Sequence, residues 1–100
     1  MSRMTPKDRK ADLMMHALAA AEKVGYLQLT RNDIASRAGV TDNLVTHYFG
    51  TMENLRRDVM RAAVKVGNLK VIGQGLAMGN KYACKAPESL RLAALAGMAP

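Results

Sequence analysis

The sequence has little of several residue types: it contains no tryptophan, one cysteine, three tyrosines and one phenylalanine. A hydrophobic core must therefore come from Ala, Leu, Val, Ile and Met. The single cysteine, Cys84, cannot form an intrachain disulfide, which excludes the disulfide-scaffold class and suits a reducing compartment. The length predicts one domain and excludes large catalytic architectures such as an eight-stranded barrel of about 250 residues.

Other absences exclude further classes of protein. No apolar run approaches the ~18 residues of a membrane span, and the start shows no signal-peptide pattern. His16, His47 and Cys84 lack metal-ligand spacing, and the glycines at 67–79 do not match a phosphate-binding loop. No nucleophile with a base and an orienting acid is recognisable. We expect a soluble, cytoplasmic protein that is not an enzyme, with no cofactor, metal, membrane or small-molecule ligand.

Acidic residues are also few. Eight Asp and Glu stand against 15 Lys and Arg, which leaves a formal net charge of +7. The excess is larger in residues 51–100, with eight basic and three acidic groups, than in residues 1–50, with seven and five. This composition favours a polyanionic partner: nucleic acid first, an acidic membrane surface second.

Helix signals divide the first two thirds of the chain. Thr5 caps a predicted helix over about 6–24, Pro6 suits its first position, and Gly25 ends it. Three further helices each begin at a capping threonine and end at a glycine: Thr30 to Gly39, Thr41 to Gly50, and Thr51 to Gly67. No strand pattern appears, so the fold class is all-α.

Beyond Gly67, glycines interrupt an apolar stretch, and each helical glycine costs about 1 kcal/mol relative to alanine. A kinked helix and an irregular packed segment are equally favoured there. Pro87 then starts a short predicted helix over 88–96. We expect residues 1–50 to be one functional unit and 51–100 a connecting helix with a tail, together forming one compact domain.

The segment from Arg31 to Gly50 predicts a helix-turn-helix. Ala35 is small where the next helix crosses over it, Gly39 suits a positive φ or a close approach in the turn, and Val40 is expected beneath the corner. The outer face of the second helix presents short polar side chains that can donate and accept hydrogen bonds at base edges: Thr41, Asp42, Asn43, Thr46 and His47. The alternative is an ordinary helical corner without a role in DNA binding.

These residues resemble the N-terminal DNA-binding domain of the tetracycline-repressor (TetR) family. The resemblance runs from about Arg9 to Arg61 and rests on ordered matches: Gly25-Tyr26, Leu29-Thr30, Ile34-Ala35, Ala38-Gly39-Val40-Thr41, Tyr48-Phe49 and Glu53-Asn54-Leu55. It implies a homeodomain-like unit of three helices and a connecting helix. It also implies a homodimer that regulates transcription, most simply as a repressor, from a two-fold-symmetric operator in double-stranded DNA.

The resemblance also implies DNA-contacting residues. The helix from Thr41 would lie in the major groove, while Tyr48, the helix start at Thr51 and the neighbourhood of Thr30 would face phosphates. The expected contact set is Thr30, Arg31, Thr41, Asp42, Asn43, Leu44, Thr46, His47, Tyr48, Thr51 and Arg56.

Three positions depart from the family pattern. The family often has Tyr where this chain has Thr46, Lys where it has Met52, and Gly where it has Asn43. Base preference should therefore differ. The backbone contacts made in the family by that Tyr and Lys should be either weaker here or supplied by other residues: Arg56, Arg57, Arg3, Lys7, Arg9 and Lys10.

Only 39 residues follow Arg61, too few to wall the ligand pocket typical of the family. We therefore expect a small regulator without a small-molecule effector, of a kind that would suit a plasmid or phage. The tail is expected to dimerise through Leu69, Val71, Ile72, Leu76, Met78, Leu90, Leu92 and Leu95. Two alternatives stay open: a non-specific DNA architectural or partition protein, and a protein-interaction adaptor built on the same motif.

Overall fold

The computed structural model describes residues 4–98, and that part of the chain consists of helices and turns with no strand. Its helices are α1 (Pro6–Val24), α2 (Arg31–Ala38), α3 (Asp42–Phe49), α4 (Met52–Val66), α5 (Leu69–Ala77), α6 (Lys81–Cys84) and α7 (Glu88–Met98). The all-α prediction is confirmed. None of these helices is both long and apolar enough to cross a membrane.

The first four helices have the bounds that the capping signals predict. The Thr5 hydroxyl accepts the Asp8 N–H at 3.1 Å, and Thr30 with Asp33 forms a capping box at the start of α2. Gly39 follows α2 in the left-handed conformation with φ 71°. A Cβ there would meet no atom within 4 Å, so the turn requires the positive φ rather than a close approach.

The glycine-containing segment forms one continuous helix, α5, rather than an irregular packed segment. Gly73 and Gly75 are buried in it because neighbouring helices occupy the space of their missing side chains. A Cβ on Gly75 would clash with Met60 of α4 and lie 2.7 Å from the Cβ of Ala83 in α6. Close helix packing therefore compensates for the low helix propensity of glycine.

One buried cluster joins the N-terminal helices to the tail. Its fully buried members include one residue from each of the first five helices: Leu13, Ile34, Val45, Leu55 and Ile72. Helix α1 packs against α2, α4 and α5, and α2 packs across α3. Removing the tail would therefore expose part of the same core that supports α1 to α4.

The structure corrects one expectation about the tail. Val71 and Ile72 were expected at a dimer surface, but both are 0% exposed in the core of the protomer itself. They face inward because α5 lies between α4 and α7, which cover its apolar sides. Other predicted interface residues do stay exposed: Leu69, Met78, Leu92 and Leu95.

Tyr26, in the turn after α1, connects the helix-turn-helix to the tail. Its backbone N–H donates to Oε1 of Gln74 in α5 at 2.6 Å. Its hydroxyl donates to the carbonyl of Arg56 in α4 at 2.6 Å and accepts Nδ2 of Asn80 at 3.4 Å. These bonds position the first turns of α4 relative to both α1 and the tail.

Candidate DNA-binding surface

Helix α3 has one buried and one exposed face. Val45 and Phe49 point into the core, at 0% and 4% exposure. The opposite face carries exposed polar side chains, and Leu44 and Tyr48 lie half-buried between the two faces. The exposed polar residues are the ones predicted from the sequence: Asp42, Asn43, Thr46 and His47, preceded by the exposed cap Thr41.

The turn between α2 and α3 is held by backbone and side-chain bonds. The Val40 N–H donates to the Ala35 carbonyl at 3.0 Å, and Val40 itself is half-buried at the corner. Nη2 of Arg31 donates to the Gly50 carbonyl at 3.2 Å, which ties the start of α2 to the end of α3. The exposed face of α3 is therefore presented by a braced pair of helices.

The predicted threonines at the surface have structural hydrogen bonds. Thr30, Thr41 and Thr51 are exposed, and each hydroxyl accepts the N–H three residues later, at the start of α2, α3 and α4. Thr46 differs, because its hydroxyl donates to the Asp42 carbonyl at 3.2 Å within α3. The capped helix ends place partial positive charge at the surface, which favours anions such as phosphates.

Arg31 and Arg56 are half-buried. The Nε atom of each is buried and has no hydrogen-bond partner among residues 4–98. Each guanidinium therefore keeps donor capacity beyond the contacts that the fold uses.

The N-terminal part of α1 forms a basic margin beside Tyr48. A surface groove of about 590 Å³ is lined by Lys7, Lys10, Met14 and Tyr48, together with Pro6 and Ala11. Nζ of Lys10 also lies 5.9 Å from the centre of the Phe49 ring. Sequence reasoning offered Lys7 and Lys10 only as substitutes, although their three-residue spacing already placed them on one side of α1.

His47 and Tyr48 form an edge-to-face pair at the exposed side of α3. Their ring centres are 5.1 Å apart with an interplanar angle of 84°. Such a pair restrains both rings at the end of the helix. Arg3, another candidate backbone contact, lies outside the described residues.

The phenol of Tyr26 is a titratable group whose pKa the fold clearly shifts. Burial raises its pKa above the ordinary value of 10.0, while the charge of Arg56 and the hydrogen bond from Asn80 oppose that rise. The phenol therefore stays protonated and continues to donate to Arg56.

One protein-family model matches the N-terminal part of the chain. Residues 13–59, from α1 into α4, match the model of the bacterial regulatory proteins of the tetR family. The match is consistent with a TetR-type N-terminal DNA-binding domain in this part of the chain. No curated protein and no solved structure matches the chain significantly.

The matched segment contains the expected contact set from Thr30 to Arg56, whereas Lys7, Arg9 and Lys10, which are also candidates for backbone contacts, precede it. The family is one of DNA-binding transcription regulators, and this is the function that the match supports for the chain. Helices α5 to α7 lie beyond the matched segment.

Proposed function

We propose that the protein is a homodimeric transcriptional repressor that recognises a palindromic operator by placing α3 in the major groove. The observation that carries this proposal is the division of α3 into a core face, with Val45 and Phe49, and an exposed polar face. A helix inserted in the major groove needs side chains that reach base edges without being required by the core. The TetR-type match supports the same use of this helix.

Base contacts and backbone contacts divide between two groups of residues in this proposal. Asn43 and His47 read bases, and Asp42 accepts a hydrogen bond from a cytosine amino group. Affinity independent of sequence comes from contacts to phosphates. The phosphate-binding group comprises Lys7, Lys10, Tyr48 and the starts of α2 and α4, with Arg31 and Arg56.

We assign dimerisation to the exposed face of α7. Leu92 and Leu95 lie one helical turn apart and are 59% and 50% exposed. Val66, at the end of α4, is 66% exposed. A stable dimer buries about 800 Å² on each partner. The dimer interface would therefore have to include Val66 as well as Leu92 and Leu95. To read two half-sites, such a dimer would have to hold its two copies of α3 about 34 Å apart, one turn of DNA.

In this proposal the regulator has no catalytic activity and no enclosed effector pocket in this region. It acts in a bacterial cytoplasm and is encoded on a plasmid or phage. Residues 1–50 would read DNA, and residues 51–100 would connect and dimerise. Support for the missing pocket comes from the packing of α5, whose buried glycines leave no room beside Met60 and Ala83.

The test is DNA binding by fluorescence anisotropy at several salt concentrations, with the DNA upstream of the protein's own gene and a scrambled duplex. A specific regulator binds the upstream DNA more tightly, and log affinity falls linearly with log salt. If both duplexes bind equally across a tiled upstream region, the protein is the architectural alternative. Absence of binding at low salt contradicts the proposal and favours a protein-interaction adaptor.

A further inference from the structure

A groove on the molecule combines the start of α4 with the turn around α6. It has a volume of about 380 Å³ and is lined by Tyr26, Glu53, Asn54, Arg56, Arg57, Met78, Asn80, Lys81 and Tyr82. Sequence reasoning could not place Lys81, because 25 residues separate it from Arg56. The fold brings it to the same groove as the first two turns of α4.

The charge of this groove is mainly positive. Arg56, Arg57 and Lys81 line it, against one carboxylate from Glu53. Asp58, which is not among the lining residues, accepts a hydrogen bond from Nε of Arg57 at 3.2 Å. The ammonium of Lys81 lies 5.2 Å from the centre of the Tyr82 ring and has no ion pair among the described residues.

The walls of the groove are held in place. The Tyr26 hydroxyl bonds to the Arg56 carbonyl, and Asn80, next to Lys81, bonds to the same hydroxyl. Oδ1 of Asn80 also accepts the N–H groups of Tyr82 and Ala83, which fixes the start of α6. The spacing between Lys81 and the α4 arginines is therefore set by the fold rather than by flexible loops.

Nε of Arg56 is buried with no hydrogen-bond partner among residues 4–98. Because this atom is buried, a ligand in the groove would meet the other guanidinium nitrogens of Arg56. Arg56 lines the groove, and a phosphate oxygen is a strong acceptor for a guanidinium.

We propose that the tail contributes directly to DNA affinity: Lys81, with Arg56 and Arg57, binds a backbone phosphate of the operator DNA in this groove. The inference rests on the proposed function, because it assumes that the protein binds DNA. It gives the tail a second role beside dimerisation. The groove adjoins the surface already assigned to DNA, since Asn54 lines it and its N–H is capped by Thr51 at the start of α4.

The experiment measures how DNA binding by the wild type and by Lys81→Ala depends on salt concentration. The two probes are the DNA upstream of the protein's own gene and a scrambled duplex. Loss of one phosphate contact makes the negative slope of log affinity against log salt shallower by about 0.9 on both duplexes. Lys81→Arg keeps the positive charge and should retain the slope of the wild type.

The matched control is Lys85→Ala. It removes the same charge from an exposed residue of the same segment, but Lys85 does not line the groove. A smaller slope for Lys81→Ala alone supports the proposal. Equal changes for both variants mean that only net charge matters, and an unchanged slope for Lys81→Ala means that no contact exists; either result overturns it.

Two further measurements separate this inference from other failures. Circular dichroism and sedimentation show whether Lys81→Ala keeps its fold and oligomeric state. Wild-type protein that binds neither duplex contradicts the proposed function itself. Wild-type protein that binds DNA with a slope that Lys81→Ala does not change contradicts only the role of Lys81.

Discussion

The backbone N–H of Tyr26 donates to the side-chain oxygen of Gln74 across 48 residues of sequence, with 2.6 Å between the two atoms. Tyr26 is 2% exposed, so water has little access to this donor. The bond joins the turn that precedes the helix-turn-helix to the tail helix α5. It makes the tail part of the structural support of the DNA-binding half.

We expect Gln74→Ala to destabilise the protein by about 1–3 kcal/mol, because it leaves the Tyr26 N–H without an acceptor. Urea unfolding measures the effect. Gln28→Ala is the control, since Gln28 is exposed and should change stability by less than about 0.5 kcal/mol. Equal stability of the two variants would show that the bond to Gln74 contributes nothing.

Gly75→Ala should lower the melting temperature, and Gly97→Ala should raise it. Both residues lie in helices, where alanine gains up to about 1 kcal/mol over glycine. At Gly75 the new methyl group would press on Met60 and Ala83, and overpacking of this kind costs about 1–3 kcal/mol. At Gly97 it would meet no atom within 4 Å. Calorimetry measures both melting temperatures. A higher melting temperature for both variants would refute the packing argument.

Asn43→Ala and His47→Ala should each weaken specific DNA binding by about 1–3 kcal/mol while leaving the fold intact. Both side chains are exposed on α3, so on the proposed function their loss removes base contacts without opening the core. His16→Ala serves as the control, because His16 lies in α1 rather than on α3 and pairs there with Asp12 at 3.6 Å. Equal losses on operator and scrambled DNA would argue against base reading.

Leu92→Glu combined with Leu95→Glu should convert a dimer into a folded monomer, because charged groups replace the apolar face of α7. Analytical ultracentrifugation measures the mass, and Met15→Glu, at an exposed apolar residue of α1, is the control. Truncation after Arg61 is a poorer test, since it removes Val71, Ile72 and Gln74 from the folded structure. A double variant that still sediments as a dimer would place the interface elsewhere.

Stability should fall as the pH rises above about 10, the ordinary pKa of tyrosine. The folded state raises the pKa of Tyr26 through burial, so it holds the proton more tightly than the unfolded state does. The stabilisation is complete below the unfolded pKa and is lost as the pH rises through the folded one.

Urea unfolding at pH 8 to 11 tests this dependence. It should shrink in Tyr26→Phe, which also loses the bond to the Arg56 carbonyl. Tyr48→Phe, with a half-buried ring, should retain the dependence. A dependence that is the same in Tyr26→Phe and the wild type would contradict the assignment to Tyr26.

Local sequence signals were enough to predict the first four helices and the two faces of α3. Capping threonines and terminal glycines act within a few residues, so local chemistry sets their bounds, as at Thr30 and Gly39. The alternation of buried Val45 and Phe49 with exposed Asn43 and His47 follows from helical periodicity alone. The exposed polar residues of the candidate site were predictable for that reason.

The course of the tail depends on packing between helices that are distant in sequence. Local propensity left Gly73 and Gly75 ambiguous, and the helix forms because α4, α6 and α7 pack where side chains would be. Tertiary packing also buries Val71 and Ile72. It joins Tyr26 to Gln74 by a hydrogen bond and places Lys81 in the same groove as Arg56, although these residues are distant in sequence. Such contacts depend on how helices pack together, which periodicity and capping do not encode.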